Sequence, residues 1–474
     1  MNILITGATG YIGKRLIPLL LNEGHTVICA VRDKKRVLNI YKDETNLVIV
    51  EVDFLDAKTL QNIPKEIDVA YYLIHSMSNA SKDFEVLEER CARNFKEYIE
   101  TTNAKQVIYL SGITNDDKLS KHLSSRKNVE IALNSDQYGL TIFRAGIIVG
   151  SGSSSFEIIR DLVEKLPFMI APKWLNTKTQ PIAVRDVLSF LNKAKGVTKL
   201  YDNTYDIFGP EVLTYKEMLL QFAKIRKLKR HILTVPIMTP KLSSYWLFFV
   251  TATSYKLAAT LVDSMGVEII GKPSAINELL QVNPISYKKA VKRAFKKIEQ
   301  NSIISSWKDS FISSDRLNKN AYKYINIPKF GCFTDTRERP ITDLTKTQER
   351  IWSIGGTTGW YYATFLWRFR GFIDKLFGGI GLRRGRTHPT ELNVGDALDF
   401  WRVIYADPAK NKLILYAEMK LPGEAWLEFK IEDNTLCQTA TFRPRGVIGR
   451  LYWYIVTPFH LFVFTGMINK ITKP

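Results

Sequence analysis

The chain has 474 residues, of which 45% are hydrophobic and 24% charged, the balance of an ordinary folded protein with material for two or three domains and a large core. Its 67 basic against 47 acidic residues leave a formal net charge of +20. The basic clusters at 34–36, 225–230, 288–297 and 383–386 come without zinc-ligand spacing or an RNA-binding aromatic motif, so generic surface charge ranks first, an anionic membrane surface second and nucleic acid last.

The chain begins MNILITGATGYIG. Residues 2–6 form a short apolar run suited to a buried parallel strand, and Gly7, Gly10 and Gly13 follow at the spacing of a dinucleotide fingerprint. Gly7 permits the tight turn, Gly10 lets the backbone approach a pyrophosphate, and Gly13 lets the next helix, about residues 11–23, pack on the strand. That helix offers free N–H groups and the positive end of its dipole to phosphate. At the end of the second strand, HTVICAVRD, Arg32 precedes Asp33, Lys34, Lys35 and Arg36. A basic residue here suits a 2′-phosphate and so favours NADP(H), while Asp33 keeps NAD open.

Short apolar runs then alternate with helical patterns through NLVIVEVDF, VAYYLIHS, KQVIYLSG and GLTIFRAGIIVG, which predicts an α/β doubly wound parallel sheet over about the first 150 residues. Residues 151–300 read as a smaller substrate subdomain ending in a basic helix, and 301–324 as a polar linker. From 325 the chain turns aromatic and alternating, the pattern of an α+β domain closed by an apolar helix from about 447 to 470. The stretch 245–262 carries Lys256 and reads as a subdomain helix. The uncharged run 451–468 nearly reaches the length of a bilayer span, but Pro458 and His460 near its middle favour a packed helix with its aromatic residues on the sheet. The cysteines at 29, 91, 332 and 437 are far apart, which fits a reducing cytoplasm and no disulfide framework. His388 and His460 lack companions at ligand spacing, so no metal is expected. No cleavable signal peptide is expected either, because the chain enters directly into a strand.

With TGATGYIG, Asp53 in VEVDFLD, YLIHSM, Asn94, YLSG with Ser111, FRAGIIVG, QPIAVRDV and YDIFGPEVLTYKEM in order, the first 300 residues resemble the short-chain dehydrogenase/reductase superfamily in its extended and atypical, epimerase-like or NmrA-like branches. The last 150 resemble an uncharacterised domain of the DUF2867 type at CFTDTRERPI, GLRRGR, LNVGDALDFWRV and FRPRGVIGRLYWYIVTPFHLFVF. More loosely, they resemble the Bet v 1/START ligand-cavity fold, a curved antiparallel sheet around a long helix. The first resemblance implies that the loop Gly7, Thr9, Gly10, Tyr11, Ile12 and Gly13 holds the pyrophosphate and that Arg32 lies at the adenosine end. It also implies that Asp53 and Phe54 lie by the adenine, and that His75 and Ser76 lie near the ribose and nicotinamide.

The superfamily's acid–base Tyr, four residues before a Lys, is absent. Its positions hold His122 and Arg126, while Ser111 stands at the Ser position. An imidazole can donate a proton near neutral pH, whereas Arg cannot act as a base. The competing reading makes His122 and Arg126 ordinary helix residues without chemistry. Arg337, Arg339, Arg383, Arg384 and Arg386 near Asp335, Glu338 and Asp396 form either an anion site or a structural network, and the network ranks first. Two functions remain: an NADP(H)-dependent oxidoreductase on an apolar or lipid-like small molecule, cytoplasmic or peripheral on the inner membrane face, and a non-catalytic NAD(P)H-binding sensor or lipid-binding protein. A third, weaker one is a membrane-surface assembly protein for which the cofactor is a structural plug.

Overall fold

The computed structural model describes residues 1–32, 34, 44–74, 84–114, 121–235, 244, 262, 265–299, 327, 332–377, 379, 381, 386 and 391–473. Asp33, Lys35, Arg36, His75, Ser76, Lys256, Arg383, Arg384, His388 and the linker 301–324 lie outside them, as does nearly all of 245–262. The chain divides into two units, the second beginning at Phe311.

The first unit is built on strands β1 (Asn2–Thr6), β2 (Thr26–Val31), β3 (Leu47–Glu51), β4 (Val69–Tyr72), β5 (Gln106–Gly112) and β6 (Gly139–Ala145). With Asn203–Ile207 as a seventh, labelled β7, they pair in parallel in the order β7-β6-β5-β4-β1-β2-β3. Strands buried on both faces need no polar alternation, and β4 is buried at every position. The pleat sends Ile3 and Ile5 to one face, against Leu16, Ile17 and Leu20 of α1 (Gly13–Asn22) and Val187 and Phe190 of Val184–Ala194. Leu4 goes to the other, with Ala92 and Phe95 of α2 (Phe84–Ile99) and Val129 of α3 (Lys121–Ala132). The strand order reverses between β1 and β4, and in open α/β sheets the crevice at that reversal is where ligands bind.

Helices Ser154–Lys165, Tyr215–Ile225 and Tyr287–Glu299 form the subdomain, joined by Phe156, Phe222 and Phe295, whose ring centroids lie 5.2–5.7 Å apart. Thr214 and Glu217 close a capping box at the start of the second of these helices, so its position is set by sequence as well as by packing.

The second unit is a six-stranded antiparallel sheet of β8 (Phe333–Pro340), β9 (Ala397–Leu398), β10 (Trp401–Asp407), β11 (Lys412–Ala417), β12 (Gly423–Glu432) and β13 (Thr435–Pro444), in the order β8-β13-β12-β11-β10-β9. It carries α4 (Thr364–Leu376) and the long C-terminal α5 (Gly446–Ile471). The expected apolar helix is therefore present, one residue longer at each end. Trp453 stacks between Phe333 and Phe442, and Val463, Phe464, Met467, Ile468 and Ile471 enter the core. The expectation that the aromatic residues of this helix all face the sheet needs correction. Tyr454, Phe459 and Phe462 are 52–66% exposed, because a run that is apolar all round does not encode which side is covered.

Candidate functional site

Gly7 closes β1 with φ +67°, and a Cβ there would meet Leu73 O at 2.5 Å. Only glycine fits both the conformation and the space. Thr6 Oγ1 donates to Tyr71 O at 3.2 Å and accepts from Leu73 N at 3.1 Å, which ties the ends of β1 and β4 together at the crevice. A Cβ on Gly13 would meet Gly7 O at 2.5 Å and Ala8 Cα at 2.9 Å, so the helix packs directly on the turn. Gly10 differs: its added Cβ would approach Gly7 O alone, at 3.0 Å, leaving its outer side open for a ligand. One wall of the crevice is locked by Arg15, which donates to Ser151 O at 2.8 Å and Tyr11 O at 3.1 Å and stacks on the Tyr11 ring. Tyr11 Oη donates to the same Ser151 carbonyl, and burial pushes its phenol up to about 12. Tight turn, open glycine and helix N-terminus together fit a pyrophosphate.

Arg32 is exposed at the end of β2, where a phosphate on the adenosine side would be met. Asp53 is exposed with Oδ1 accepting from Leu55 N at 3.1 Å, so part of its carboxylate serves the local turn. The Phe54 ring is buried against Phe95, and its carbonyl accepts from Asn94 Nδ2 at 2.7 Å. Phe54 thus offers its surroundings chiefly backbone.

Ser111 lies near the end of β5, 5% exposed, and its Oγ is buried without a partner at hydrogen-bond geometry among the described residues. It still lies close enough to the Tyr109 hydroxyl to lower that phenol slightly against a larger rise from burial, which keeps Tyr109 above its ordinary value. Arg126 reaches in from α3, donating from Nη1 to Leu110 O at 2.9 Å and approaching Tyr109 Oη at 3.4 Å. Burial opposes its charge, but Tyr109 and the Glu88 carboxylate outweigh that and hold the guanidinium above its usual value. Arg126 is therefore an anchored internal cation, turned toward the strand and not outward from the helix. His122 lies in the first turn of α3, its side chain outside the described atoms. Tyr138 is buried and bonds Leu133 O, away from any catalytic role.

The sequence reading missed Glu88, which is 3% exposed and accepts from Ser125 Oγ. Its signal was its place on the apolar stripe with Cys91, Ala92, Phe95 and Ile99, where an acid needs a buried partner. In the second unit the described arginines of the cluster each have local partners. Arg337 pairs with Asp335 at 3.1 Å, Arg339 donates to Asn469 at 2.9 Å, and Arg386 donates to Ile354 O and Trp352 O at 2.7 Å.

Residues 7–140 match the model of the family described as NAD(P)H-binding, and residues 331–467 that of the protein of unknown function DUF2867. The mitochondrial 40 kDa subunit of NADH-ubiquinone oxidoreductase from Neurospora crassa is 23% identical over 235 residues, 48% of this chain and 61% of that protein. The chloroplastic divinyl chlorophyllide a 8-vinyl-reductase of Arabidopsis thaliana is 22% identical over 255 residues, 50% of this chain and 60% of that protein. The chain thus spans about 60% of the length of these two relatives. The triphenylmethane reductase of Citrobacter sp. superposes with a TM-score of 0.53 at 16% identity, covering 62% of this chain and 100% of that one; its complex with NADP(H) gives 0.52 at 15%, with the same coverage. Loop geometry, strand order and family match agree on a Rossmann fold over the N-terminal part, where residues 7–140 are similar to the NAD(P)H-binding family, while residues 331–467 are similar to the DUF2867 family.

Proposed function

We propose that the chain is an NADP(H)-dependent oxidoreductase acting on an apolar, lipid-like small molecule. The observation that carries this reading is Ser111 Oγ, buried at the carboxyl end of β5 beside the Tyr109 hydroxyl and without a partner at good hydrogen-bond geometry among the described residues. A hydroxyl kept from water without a partner costs roughly 1–3 kcal/mol, a cost that a substrate or cofactor oxygen would remove. The bound nicotinamide would supply or accept the hydride. Ser111 would orient the acceptor oxygen, and Gly7, Gly10 and Gly13 would hold the pyrophosphate. Exposed Arg32 supports NADP(H) over NAD. Arg126, fixed to Leu110 O, contributes positive charge beneath the site and no proton. His122 remains the proposed proton donor. Supporting the class, relatives are named as a vinyl-reductase and an isoflavone reductase homolog.

The test is fluorescence titration with NADPH and NADH, followed by single-turnover oxidation of NADPH with hydrophobic enones and aldehydes, in the wild type and Ser111→Ala. The reading requires tighter binding of NADPH and a loss of turnover in the variant at unchanged cofactor affinity. Absence of dinucleotide binding would end it. A second reading, a non-catalytic NAD(P)H sensor, is favoured by Arg126 being committed to the strand, and it predicts tight binding with no turnover on any acceptor.

A further inference from the structure

Two helices of the second unit carry apolar residues on faces turned away from the core. On α4, Trp367, Gly371 and Asp374 are buried, while Phe365, Phe369, Phe372 and Leu376 are 54–67% exposed. At 100° per residue those four fall in one stripe on the opposite side of the helix. On α5, Trp453, Phe464, Met467 and Ile471 mark the covered side, and Val447, Leu451, Tyr454, Ile455 and Phe459 mark an outer side 56–81% exposed. The two helices share anchors: Tyr362, just before α4, packs on Phe462 with ring centroids 5.1 Å apart. At the other end Arg370 donates to Lys420 O and Arg445 N to Pro422 O, so both helices meet the same β11–β12 turn.

The charges beside these faces are mainly basic, with Glu424 paired to Arg443 at 3.8 Å. Residues 443–474 contain no acidic side chain and include Arg443, Arg445, Arg450, Lys470 and Lys473. On α4, Arg368 is exposed next to the stripe. The acid of that helix, Asp374, is 1% exposed and accepts from Lys420 N at 2.7 Å and Gly381 N at 2.8 Å. A second copy docking by twofold symmetry would bring like charges together around the apolar centre. An anionic lipid surface instead matches both parts, acyl chains for the Phe and Leu side chains and headgroups for the arginines.

By length and composition the helix Val447–Ile471 could also cross a bilayer, but its inner side is occupied by the sheet through Trp453 and Met467. We infer that the outer faces of α4 and α5 lie on the surface of an anionic bilayer, attaching the protein peripherally by interfacial insertion of Phe365, Phe369, Phe372 and the first four turns of α5.

The experiment is co-sedimentation of the full-length, NADPH-loaded protein with vesicles of phosphatidylcholine alone or mixed with phosphatidylglycerol, over a salt series. Expected is binding to the mixed vesicles that weakens with salt, drops by roughly fivefold for Arg450→Glu, and is lost in Phe369→Glu/Phe372→Glu. Unchanged circular dichroism and tryptophan-fluorescence melting in each variant serve as the check on folding of the second unit. Size-exclusion light scattering separates the alternatives. A wild-type dimer that Phe369→Glu/Phe372→Glu splits, with no vesicle binding, would make the face a self-interface and overturn the proposal. A monomer that ignores vesicles would overturn it too, and would leave the face to the chain's own first unit or to another protein. Binding that resists high salt and alkaline washing would mean a spanning helix, which also overturns it.

Discussion

Gly10→Ala separates cofactor binding from folding, because the three glycines of the loop are constrained by different things. At Gly7 the φ of +67° and the 2.5 Å approach to Leu73 O mean that any side chain distorts the fold. At Gly13 the new Cβ meets two backbone groups within 3 Å. Gly10 has an ordinary φ, and its Cβ meets a single carbonyl at 3.0 Å, so a shift of a few tenths of an ångström accommodates it. The cost to the free protein should stay under about 1 kcal/mol, a melting shift of no more than roughly 2–4 °C for a domain of this size. On the ligand side, the methyl occupies the space through which a pyrophosphate oxygen approaches the loop amides. Losing one hydrogen bond to a charged oxygen costs about 1.5–3 kcal/mol, which corresponds to a Kd for NADPH raised roughly 10- to 150-fold. Fluorescence titration and thermal melts of wild type, Gly10→Ala and Gly13→Val give both readouts. Gly13→Val should lose stability and binding together, while Gly10→Ala should lose binding alone. Wild-type NADPH affinity in a well-folded Gly10→Ala would refute the placement of the pyrophosphate.

Arg126→Met removes the donor to the Leu110 carbonyl and the positive charge that favours the nearby Glu88 carboxylate, and should cost about 1.5–3 kcal/mol in urea unfolding, part of it recovered in Arg126→Met/Glu88→Gln. If the double variant is no more stable than the single, Glu88 is not the partner. His460 is half-buried between Trp453 and Phe464, and desolvation pushes its pKa down to about 4, with Asp335 opposing and Arg337 adding to the shift. Its folded pKa lies below the unfolded value of about 6.5, so the unfolded state takes up the proton first. The contribution is complete above pH 6.5 and is lost as pH falls toward 4, up to about 3 kcal/mol. Urea midpoints measured across this range should slope in the wild type and flatten in His460→Phe, and equal slopes would refute the assignment.

The parallel sheet and its cofactor loop were readable because both are local signals: an apolar run needs no partner to be recognised, and a glycine at the end of a strand announces its own geometry. The internal position of Arg126 was not, since α3 has few apolar residues and the tertiary contacts with Leu110 O and Tyr109 draw the side chain inward. Glu88 was visible in principle, as an acid on an otherwise apolar stripe, but its partner Ser125 lies 37 positions away on another helix. The outer face of α5 was hidden for the opposite reason. Without polar residues to break the pattern, the run 451–468 carries no phase, and the covered side is decided by Phe333 and Phe442 in the sheet.

The remaining difficulty of the oxidoreductase reading is the proton. Among the described residues at the end of β5, burial keeps the Tyr109 phenol above its usual range, and Arg126 holds its charge against Leu110 O and Tyr109. A carbonyl acceptor would leave an alkoxide after hydride arrival and so needs an acid at hand, for which the proposed residue is His122. A conjugated acceptor spreads the charge over its own atoms and can take its proton from water. The two cases differ in pH dependence. If His122 is the acid, the single-turnover rate of NADPH oxidation falls as rising pH removes its proton, and His122→Ala lowers the rate by roughly 100-fold or more. With a conjugated acceptor the profile is flat from pH 6 to 8 and the variant loses little. A flat profile combined with a large loss in His122→Ala would refute proton donation and assign His122 to binding, to be read as a raised KM rather than a lowered kcat.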